Sequence, residues 1–389
     1  MNRVFLKPGR ESRVIAGHPW VFAGDVDRAD PAAQPGEVVQ VLSSGNRFLG
    51  QALYNPNSQI VLRVLTHTDE VIDDEFIRRR VRAAVNLRRQ LGNFDCCRLI
   101  FSESDLLPAV IADRYGDVLT FQCLSLGMAR FQDTIIQTLV EETGVKGVWE
   151  RNNVPVRLLE GMELTSGLYW GEVPDVIPIN ENGLIINVDV KGGQKTGYYL
   201  DQRENRAAIE PYCKDARVLD VFTHTGSFAL HACKFGAREV TGVDISELAV
   251  QSAQENARIN GCRMAKFVAA NAFDYLRDAS DRGEKYDLII LDPPPFAKNK
   301  ANVEGAARGH KEINLRAMKM LNDGGVLVSN SCSYNMTTDL FRATLISAAL
   351  DARVTLQFLE WRSQGRDHPV LSTAPETQYL KCVIMRVLR

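Results

Sequence analysis

The chain has 389 residues, and a single hydrophobic core seldom extends past roughly 250–300 residues, so we expect more than one domain. Its 45% hydrophobic and 24% charged content is typical of a soluble globular protein and excludes collagen-like and low-complexity chains. The 46 basic and 48 acidic residues give a net charge of -2, which excludes a polycation. Any nucleic acid must therefore bind through local basic patches.

The amino-terminal segment MNRVFLKPGRESRVIAGHPWVFAG is interrupted by charges and lacks the apolar stretch of a secretory signal. No long apolar run follows, so we expect a cytoplasmic protein with no membrane partner. The eight cysteines form no C-x-x-C pair and no cluster with zinc spacing. We therefore predict no metal site, and buried free thiols as the ordinary state of these cysteines.

Residues 1–70 contain short strand-like segments separated by Pro and Gly, which predict a small β-barrel. From Asp73 the chain reads as an amphipathic helix, with acids in its first turn and Gly92 as its stop. A hairpin around Tyr115-Gly116-Asp117 and a helix over Ala129–Glu142 follow, and we assign residues 73–185 to an α+β middle domain. The first helix has a basic outer face made by Arg78, Arg79, Arg80, Arg82, Arg88 and Arg89.

Strands and helices alternate from about Val188 to the carboxyl terminus, so residues 188–389 are predicted to form an α/β domain with a mostly parallel sheet. Ligands of such sheets bind at the carboxyl ends of the strands. The sequence places one polar loop after each of several predicted strands. We therefore take the functional site to be this edge of the sheet.

Three successive loops there indicate a nucleoside ligand without a pyrophosphate. The loop in LDVFTHTGSF has a single glycine, whereas a dinucleotide needs a second one for close approach of the backbone. Asp244, in Val243-Asp244-Ile245, can accept both ribose hydroxyls, and Asn271 and Ala272 can contact an adenine. S-adenosylmethionine fits this set of loops.

Two further loops carry the chemistry. In LDPPPF, consecutive prolines hold the backbone extended beside Asp292, and Phe296 can stack on a base. In SNSCSYN, Cys332 follows a strand and is flanked by two serines. A thiolate that adds to C6 of a pyrimidine makes C5 nucleophilic, which is covalent catalysis. This position predicts a catalytic rather than an inert thiol.

The whole chain resembles the RlmI-type family of 23S ribosomal RNA cytosine-5 methyltransferases. The resemblance rests on GQKTGYYLDQREN, LDVFTHTGSFAL, VDIS, LDPPPF and SCS in that order, and on an amino-terminal segment similar to a PUA barrel. It implies a Rossmann-like class I methyltransferase domain, S-adenosylmethionine as cofactor and 23S rRNA as partner. A homodimer is one oligomeric state that the sequence leaves open.

The resemblance also implies roles for individual residues. Cys332 would be the nucleophile, and Asp292 would hold the Watson–Crick edge of the base. Tyr198 to Arg203 would close over the pocket. Many RNA cytosine-5 methyltransferases have a second cysteine after the proline of the fourth loop, but Pro294 stands there, as in the RlmI-type family, and the base that removes the C5 proton stays unnamed. The predicted cofactor contacts are Phe222, Thr225, Gly226, Asp244, Ile245, Asn271, Ala272, Asp292, Tyr198 and Gln202, and the predicted RNA contacts are Phe296, Lys195, Arg203, Arg10, Arg13 and Trp20.

Other functions stay open at this point. A uracil-5 methyltransferase uses the same thiol chemistry, and an exocyclic-amine methyltransferase uses similar D-P-P-[FY] loops without any thiol. A non-catalytic RNA-binding ribosome-assembly factor would keep the fold and lose cofactor binding. A nicotinamide oxidoreductase is disfavoured by the single-glycine loop.

Overall fold

The computed structural model describes residues 1–296 and 302–389. The chain divides into two compact units, which are described separately. Unit 1 comprises Met1–Ile179, Val188–Leu200 and Arg366–Thr377, and unit 2 comprises Asn180–Asn187, Asp201–Gly365 and Gln378–Arg389. In the part of the chain described, no helix is both long and apolar enough to cross a bilayer.

Unit 1 begins with a six-stranded sheet around its own hydrophobic cluster, which includes Val4, Val39 and Leu62. Its elements are β1 (Arg3–Leu6), α1 (Ser12–Ile15), β2 (Trp20–Phe22), β3 (Val26–Ala29), β4 (Val38–Leu42), β5 (Phe48–Tyr54) and β6 (Ile60–Thr66). The strand order is β2-β6-β5-β4-β1-β3, with only β1 and β4 parallel among the pairs formed. This agrees with the small β-structure expected for residues 1–70.

The rest of unit 1 is a five-stranded sheet covered by helices. Its elements are α2 (Asp74–Leu91), β7 (Cys96–Phe101), β8 (Val110–Tyr115), β9 (Val118–Cys123), α3 (Leu126–Ala129), α4 (Gln132–Thr143), β10 (Gly147–Asn152), α5 (Val156–Leu159) and β11 (Thr165–Gly171). The strand order is β11-β10-β9-β8-β7. The Asp73 side chain caps α2 by accepting the Phe76 N–H, and Gly92 follows with φ +79°.

Two local expectations for this region have different outcomes. The hairpin is confirmed, since Tyr115 pairs with Val118 across the turn. The helix predicted over Ala129–Glu142 is confirmed as α4, which ends at Thr143, but its start is shifted, because α3 ends at Ala129 and α4 begins at Gln132. Phe131 leaves helical geometry, with φ -106° and ψ 7°, and its ring packs in the core instead.

A short two-stranded sheet, β12 (Ile177–Glu181) and β13 (Leu184–Val188), lies at the sequence boundary of the units. Unit 2 then contains α6 (Arg203–Ala207), β14 (Arg217–Val221), α7 (Ser227–Lys234), β15 (Glu239–Asp244), α8 (Glu247–Ile259), β16 (Ala265–Ala269), α9 (Ala272–Asp281), β17 (Tyr286–Leu291), α10 (Val303–Met320), β18 (Leu321–Ser331), α11 (Thr338–Ala352), β19 (Thr355–Arg362) and β20 (Lys381–Leu388).

The seven strands β14 to β20 form one sheet in the order β16-β15-β14-β17-β18-β20-β19. Strands β14 to β18 are parallel, and β20 is antiparallel to both of its neighbours, which confirms the mostly parallel sheet. The buried cluster on one face joins Leu276 of α9, Ile313 of α10 and Phe341 of α11 to the strands. The strand order reverses between β14 and β17, and this is where open α/β sheets bind ligands.

The domain boundaries 1–70, 73–185 and 188–389 stay a prediction. The amino-terminal sheet has a hydrophobic cluster of its own, but the cluster of the α+β region also includes Leu53 and Leu65 of that sheet. By compactness, both belong to unit 1.

Candidate active site

The loop after β14 has an unusual backbone. Phe222 and His224 have φ values of +67° and +51°, which are rare for residues with a side chain, and Gly226 follows at +87°. A Cβ atom on Gly226 would come within 3.1 Å of Ala253 and 3.2 Å of Phe267. Such strained conformations cluster at ligand sites, so the geometry agrees with a cofactor loop.

Asp220 lies just before this loop and was not among the predicted site residues. Its Oδ2 accepts hydrogen bonds from Thr223 Oγ1 at 2.5 Å and from the Ala229 N–H at 3.0 Å. Its buried Oδ1 has no hydrogen-bond partner among the described residues. Burial, with the charges of Asp292 and Asp244, raises the pKa of Asp220 to about 7. An acid inside the apolar strand RVLDV was the signal in the sequence.

Asp244 joins the first loop to the second. Its Oδ2 accepts the His224 N–H at 2.9 Å, and its Oδ1 accepts the Ser246 N–H at 3.0 Å. The half-buried carboxylate therefore has a fixed orientation at the end of β15. The neighbouring Ile245 side chain is 72% exposed. The predicted contacts of Asp244 and Ile245 with the cofactor stay predictions.

The third loop is tied to the second by the Ala270 N–H, which donates to the Asp244 carbonyl at 2.9 Å. Asn271 caps α9, since its Oδ1 accepts the Phe273 N–H at 2.9 Å and the Asp274 N–H at 3.3 Å. Ala272 is buried in the first turn of that helix. The Asn271 oxygen is therefore used by the helix, and its adenine contact stays a prediction.

Asp292 follows β17 and is held by a chain of side-chain hydrogen bonds. Gln202 Nε2 donates to Asp292 Oδ1 at 3.0 Å, and Asn205 Nδ2 donates to Gln202 Oε1 at 2.7 Å. Arg362 Nε in turn donates to Asn205 Oδ1 at 3.0 Å. The predicted residue Gln202 thus contacts Asp292 directly, and Asn205 and Arg362 are positioning residues that the sequence did not indicate.

Phe296 belongs to an aromatic cluster at the same edge of the sheet. Its ring centroid lies 6.4 Å from that of Phe222, 5.8 Å from that of Phe273 and 4.9 Å from that of His310. The ring is half-buried. One face of the site is therefore apolar, as base stacking requires, although the predicted RNA contact itself stays a prediction.

Cys332 lies directly after β18, and its thiol approaches the carbonyl of Pro293 with Sγ 3.8 Å from the oxygen. The nucleophile candidate and the Asp292 loop are therefore neighbours. Cys332 is partly exposed, whereas the other seven cysteines are buried. Partial exposure distinguishes reactive cysteines from structural ones.

The site fits S-adenosylmethionine by its chemistry. Asp220, Asp244 and Asp292 interact electrostatically, so the pocket edge is acidic. A ligand with a sulfonium, an amino group and ribose hydroxyls suits carboxylate oxygens, whereas a pyrophosphate would be repelled. In residues 1–296 and 302–389, no group of three His, Cys, Asp or Glu side chains could hold a metal ion.

Several predicted residues belong to unit 1 or are buried. Tyr198 and Lys195 belong to unit 1, where the Tyr198 N–H donates to Tyr115 Oη at 3.2 Å and Lys195 Nζ lies 4.2 Å from the centroid of the Tyr199 ring. Arg203 is buried, and its guanidinium bonds to Glu204 at 3.1 Å. Its burial argues against a contact with RNA phosphates.

The three amino-terminal RNA candidates all have partners within unit 1. Arg10 lies 3.6 Å from Asp25, Arg13 lies 2.9 Å from Glu376, and Trp20 Nε1 donates to Glu103 at 2.9 Å. The Arg10 side chain is 62% exposed, more than that of Arg13. Arg10 is therefore the residue of the three that is best placed to meet a phosphate.

The basic outer face predicted for α2 is confirmed only in part, since the side chains of Arg79, Arg82 and Arg89 are 60%, 41% and 40% exposed. Arg88 is fully buried and forms a two-point ion pair with Asp105, at 2.5 and 2.8 Å. Arg82 and Arg89 both pair with Glu142. Arg80 donates to the carbonyls of Leu65 and Leu106, and burial lowers its pKa to about 10. These arginines satisfy acids and carbonyls of the same unit.

Comparison with known proteins agrees with the site. The family model of an S-adenosylmethionine-dependent methyltransferase matches residues 162–383, and that of a PUA-like domain matches residues 4–67. "Ribosomal RNA large subunit methyltransferase I" of Erwinia tasmaniensis is 44% identical over 393 residues, which cover 99% of both chains. The protein of the same name from Klebsiella pneumoniae subsp. pneumoniae is 43% identical and covers 99% of this chain and 98% of its own.

Among solved structures, SMU.776, solved in complex with SAH, superposes with a TM-score of 0.85 at 22% identity. The match covers 99% of this chain and 100% of that one. At this identity the match shows a shared fold. The cofactor of the present chain is S-adenosylmethionine, and by its identity to relatives over the full length the chain belongs to the ribosomal RNA large subunit methyltransferase I family of S-adenosylmethionine-dependent methyltransferases.

Proposed function

We propose that this protein methylates C5 of a cytosine in 23S ribosomal RNA in the cytoplasm, with Cys332 as a covalent nucleophile. The observation that carries the proposal is the contact between the Cys332 thiol and the Pro293 carbonyl, next to Asp292. The ribosomal RNA named for the relatives supports the choice of substrate. The PUA-like match at residues 4–67 supports binding of RNA.

The chemistry needs a nucleophile because C5 of cytosine is not itself reactive enough. The Cys332 thiolate adds to C6, the S–C6 bond forms, and the C5–C6 electron pair becomes available at C5. S-adenosylmethionine, when bound, would supply an electrophilic methyl group on a sulfonium, and cleavage of the S–CH3 bond would leave S-adenosylhomocysteine. After C5 is methylated, the C5 proton leaves to a base, the electron pair restores the C5–C6 double bond, and the thiolate departs.

The other residues orient the base. Asp292, held by Gln202, would accept a hydrogen bond from the N4 amino group at the Watson–Crick edge of the base. Phe296 offers an aromatic face against which the base can stack. A cytosine in a helix must be turned out of its stack to reach both the thiol and the methyl donor.

The test is transfer of labelled methyl groups to unmodified rRNA, with nucleoside mass analysis of the product. We expect 5-methylcytidine with the wild type and a loss of at least about a thousandfold with Cys332→Ala, since the nucleophile is removed. The control is Cys262→Ala, which changes a buried cysteine of the same unit and should keep activity within about twofold.

Each other outcome identifies a rival. A product of 5-methyluridine would indicate a uracil-5 enzyme. A methyl group on the exocyclic nitrogen, with Cys332→Ala still active, would indicate an amine methyltransferase and overturn the covalent mechanism. RNA binding without methyl transfer would indicate an assembly factor.

A homodimer also stays a proposal. The edge strand β11 exposes Leu168 and Trp170, with 56% and 45% of their surfaces accessible, and exposed apolar edges are frequent contact surfaces. Light scattering of the purified protein would measure the oligomeric state.

A further inference from the structure

Lys381 is a buried lysine beside the proposed nucleophile. It begins β20 and pairs with Ser331, the residue before Cys332. It is only 7% exposed, and its Nζ donates to the carbonyl of Ser333 at 2.5 Å and to that of Tyr379 at 2.8 Å. Among the described residues, no carboxylate forms an ion pair with this ammonium, although a buried charge is costly without one.

Of the groups that act electrostatically on Lys381, Cys332 is the one that becomes negative, as a thiolate. Burial lowers the pKa of Lys381 to about 8, and the charge of Cys332 acts in the opposite direction. The ammonium also holds the residue after Cys332 through the Ser333 carbonyl, while strand pairing holds the residue before it. Lys381 therefore contacts the cysteine loop on both sides.

The other titratable groups around the pair do not replace Lys381. His310 of α10 is buried between Phe296 and Phe341, and burial, with the Lys381 charge, lowers its pKa to about 4, so it is neutral at physiological pH. Asp292 is in the loop that accepts the Cys332 thiol contact and carries a charge of the wrong sign to stabilise a thiolate. Among the described residues, Lys381 is the cation at this position.

We propose that Lys381 is a positioning residue that stabilises the thiolate of Cys332 and holds residues 331–333 in place for attack on C6. The inference rests on the proposed function, which makes Cys332 the nucleophile. In this step Cys332 Sγ loses its proton to solvent, the electron pair stays on sulfur, and Lys381 keeps all of its protons. An ammonium beside a thiol favours the charged form of that thiol.

The test measures the rate at which iodoacetamide alkylates Cys332 as a function of pH, read by peptide mass spectrometry on the full chain. For Lys381→Met we expect the midpoint of the rate profile to rise by about one pH unit or more. Lys381→Arg keeps the charge and should restore most of the effect. Lys311→Met is the matched control, because Lys311 pairs with Asp351 on the surface of α10.

A profile for Lys381→Met that superposes on that of the wild type would overturn the proposal. If that variant does not fold, the NMR titration of the Lys381 side chain gives the reciprocal measurement. The Lys381 midpoint should fall in Cys332→Ala, and an unchanged midpoint would equally overturn the proposal. Neither measurement needs RNA or methyl transfer, so failure of the proposed function would leave these results intact and the two failures are distinguishable.

Discussion

The carboxyl edge of the seven-stranded sheet and the helix α2 both contain the polar residues expected of a functional site, but they use them differently. At the sheet edge Asp220 keeps one oxygen without a partner among the described residues, and Cys332 is partly exposed. Along α2 the arginines bind Asp105, Glu142 and backbone carbonyls of unit 1. Residue types therefore suggest where a functional site lies. Whether their polar atoms are already paired within the protein decides whether those atoms can bind a ligand.

The largest effect that we expect is on stability, and it tests the role of the buried arginine of α2. Arg88→Met removes a buried cation and leaves Asp105 as a buried charge without its partner. We expect the free energy of unfolding to fall by roughly 3–5 kcal/mol, measured by thermal and denaturant unfolding.

The matched control is Arg89→Met, one residue along the same helix. Arg89 forms a surface ion pair with Glu142, so its loss should cost no more than about 1 kcal/mol. Equal costs for the two variants would mean that burial does not set the role of the α2 arginines.

The second prediction concerns the unpartnered oxygen of Asp220. Because the pKa of Asp220 is raised to about 7, its carboxylate forms between pH 6 and 8. Binding of the cationic S-adenosylmethionine should therefore strengthen by about tenfold over that range, and Asp220→Asn should remove this dependence. Isothermal titration calorimetry would measure it, with the exposed Asp278→Asn as control.

The same group affects folding in a defined direction. A raised pKa means that the folded protein holds a proton that the unfolded chain has released, so stability falls as pH rises from about 4 to about 7. Asp220→Asn should flatten this decline. An equal decline in the variant would mean that the pKa of Asp220 is not raised on folding.

The smallest effect expected is on RNA affinity. Arg10 is largely exposed, so Arg10→Ala should weaken rRNA binding by about two- to threefold. The slope of log affinity against log salt concentration should become shallower by about one, as for the loss of one phosphate contact. Arg89→Ala should change neither, since Arg89 is engaged by Glu142. Fluorescence anisotropy at several salt concentrations would measure both, and equal losses would remove the distinction between paired and available arginines.

The sequence was informative where the relevant contacts are local or follow from strand order. The cap at Asp73, the turn between Tyr115 and Val118, and the loops after β14, β15 and β17 all follow from short patterns. The proximity of Cys332 to the Asp292 loop follows from the parallel pairing of β17 and β18.

The sequence was uninformative where a partner lies far along the chain. Gln202 reaches Asp292 across 90 positions, and Arg82 reaches Glu142 across 60. The role of an arginine depends on such a partner. The spacing of apolar and charged residues along a helix does not identify a partner that is distant in the sequence. Asp220 shows the opposite case, because it is a candidate site residue on the ground that its Oδ1 has no partner among the described residues.

The antiparallel strand β20 has a consequence for how this enzyme could change. Because β20 runs against β18, its first residue, Lys381, lies at the edge where the parallel strands end. The loops after β14, β15 and β16 carry most of the predicted donor contacts, whereas Cys332 directly follows β18 and Lys381 begins β20. On the proposed function, donor recognition and target activation would be encoded on opposite halves of one sheet, so we expect that mutations can alter the base that is modified while the methyl donor stays the same.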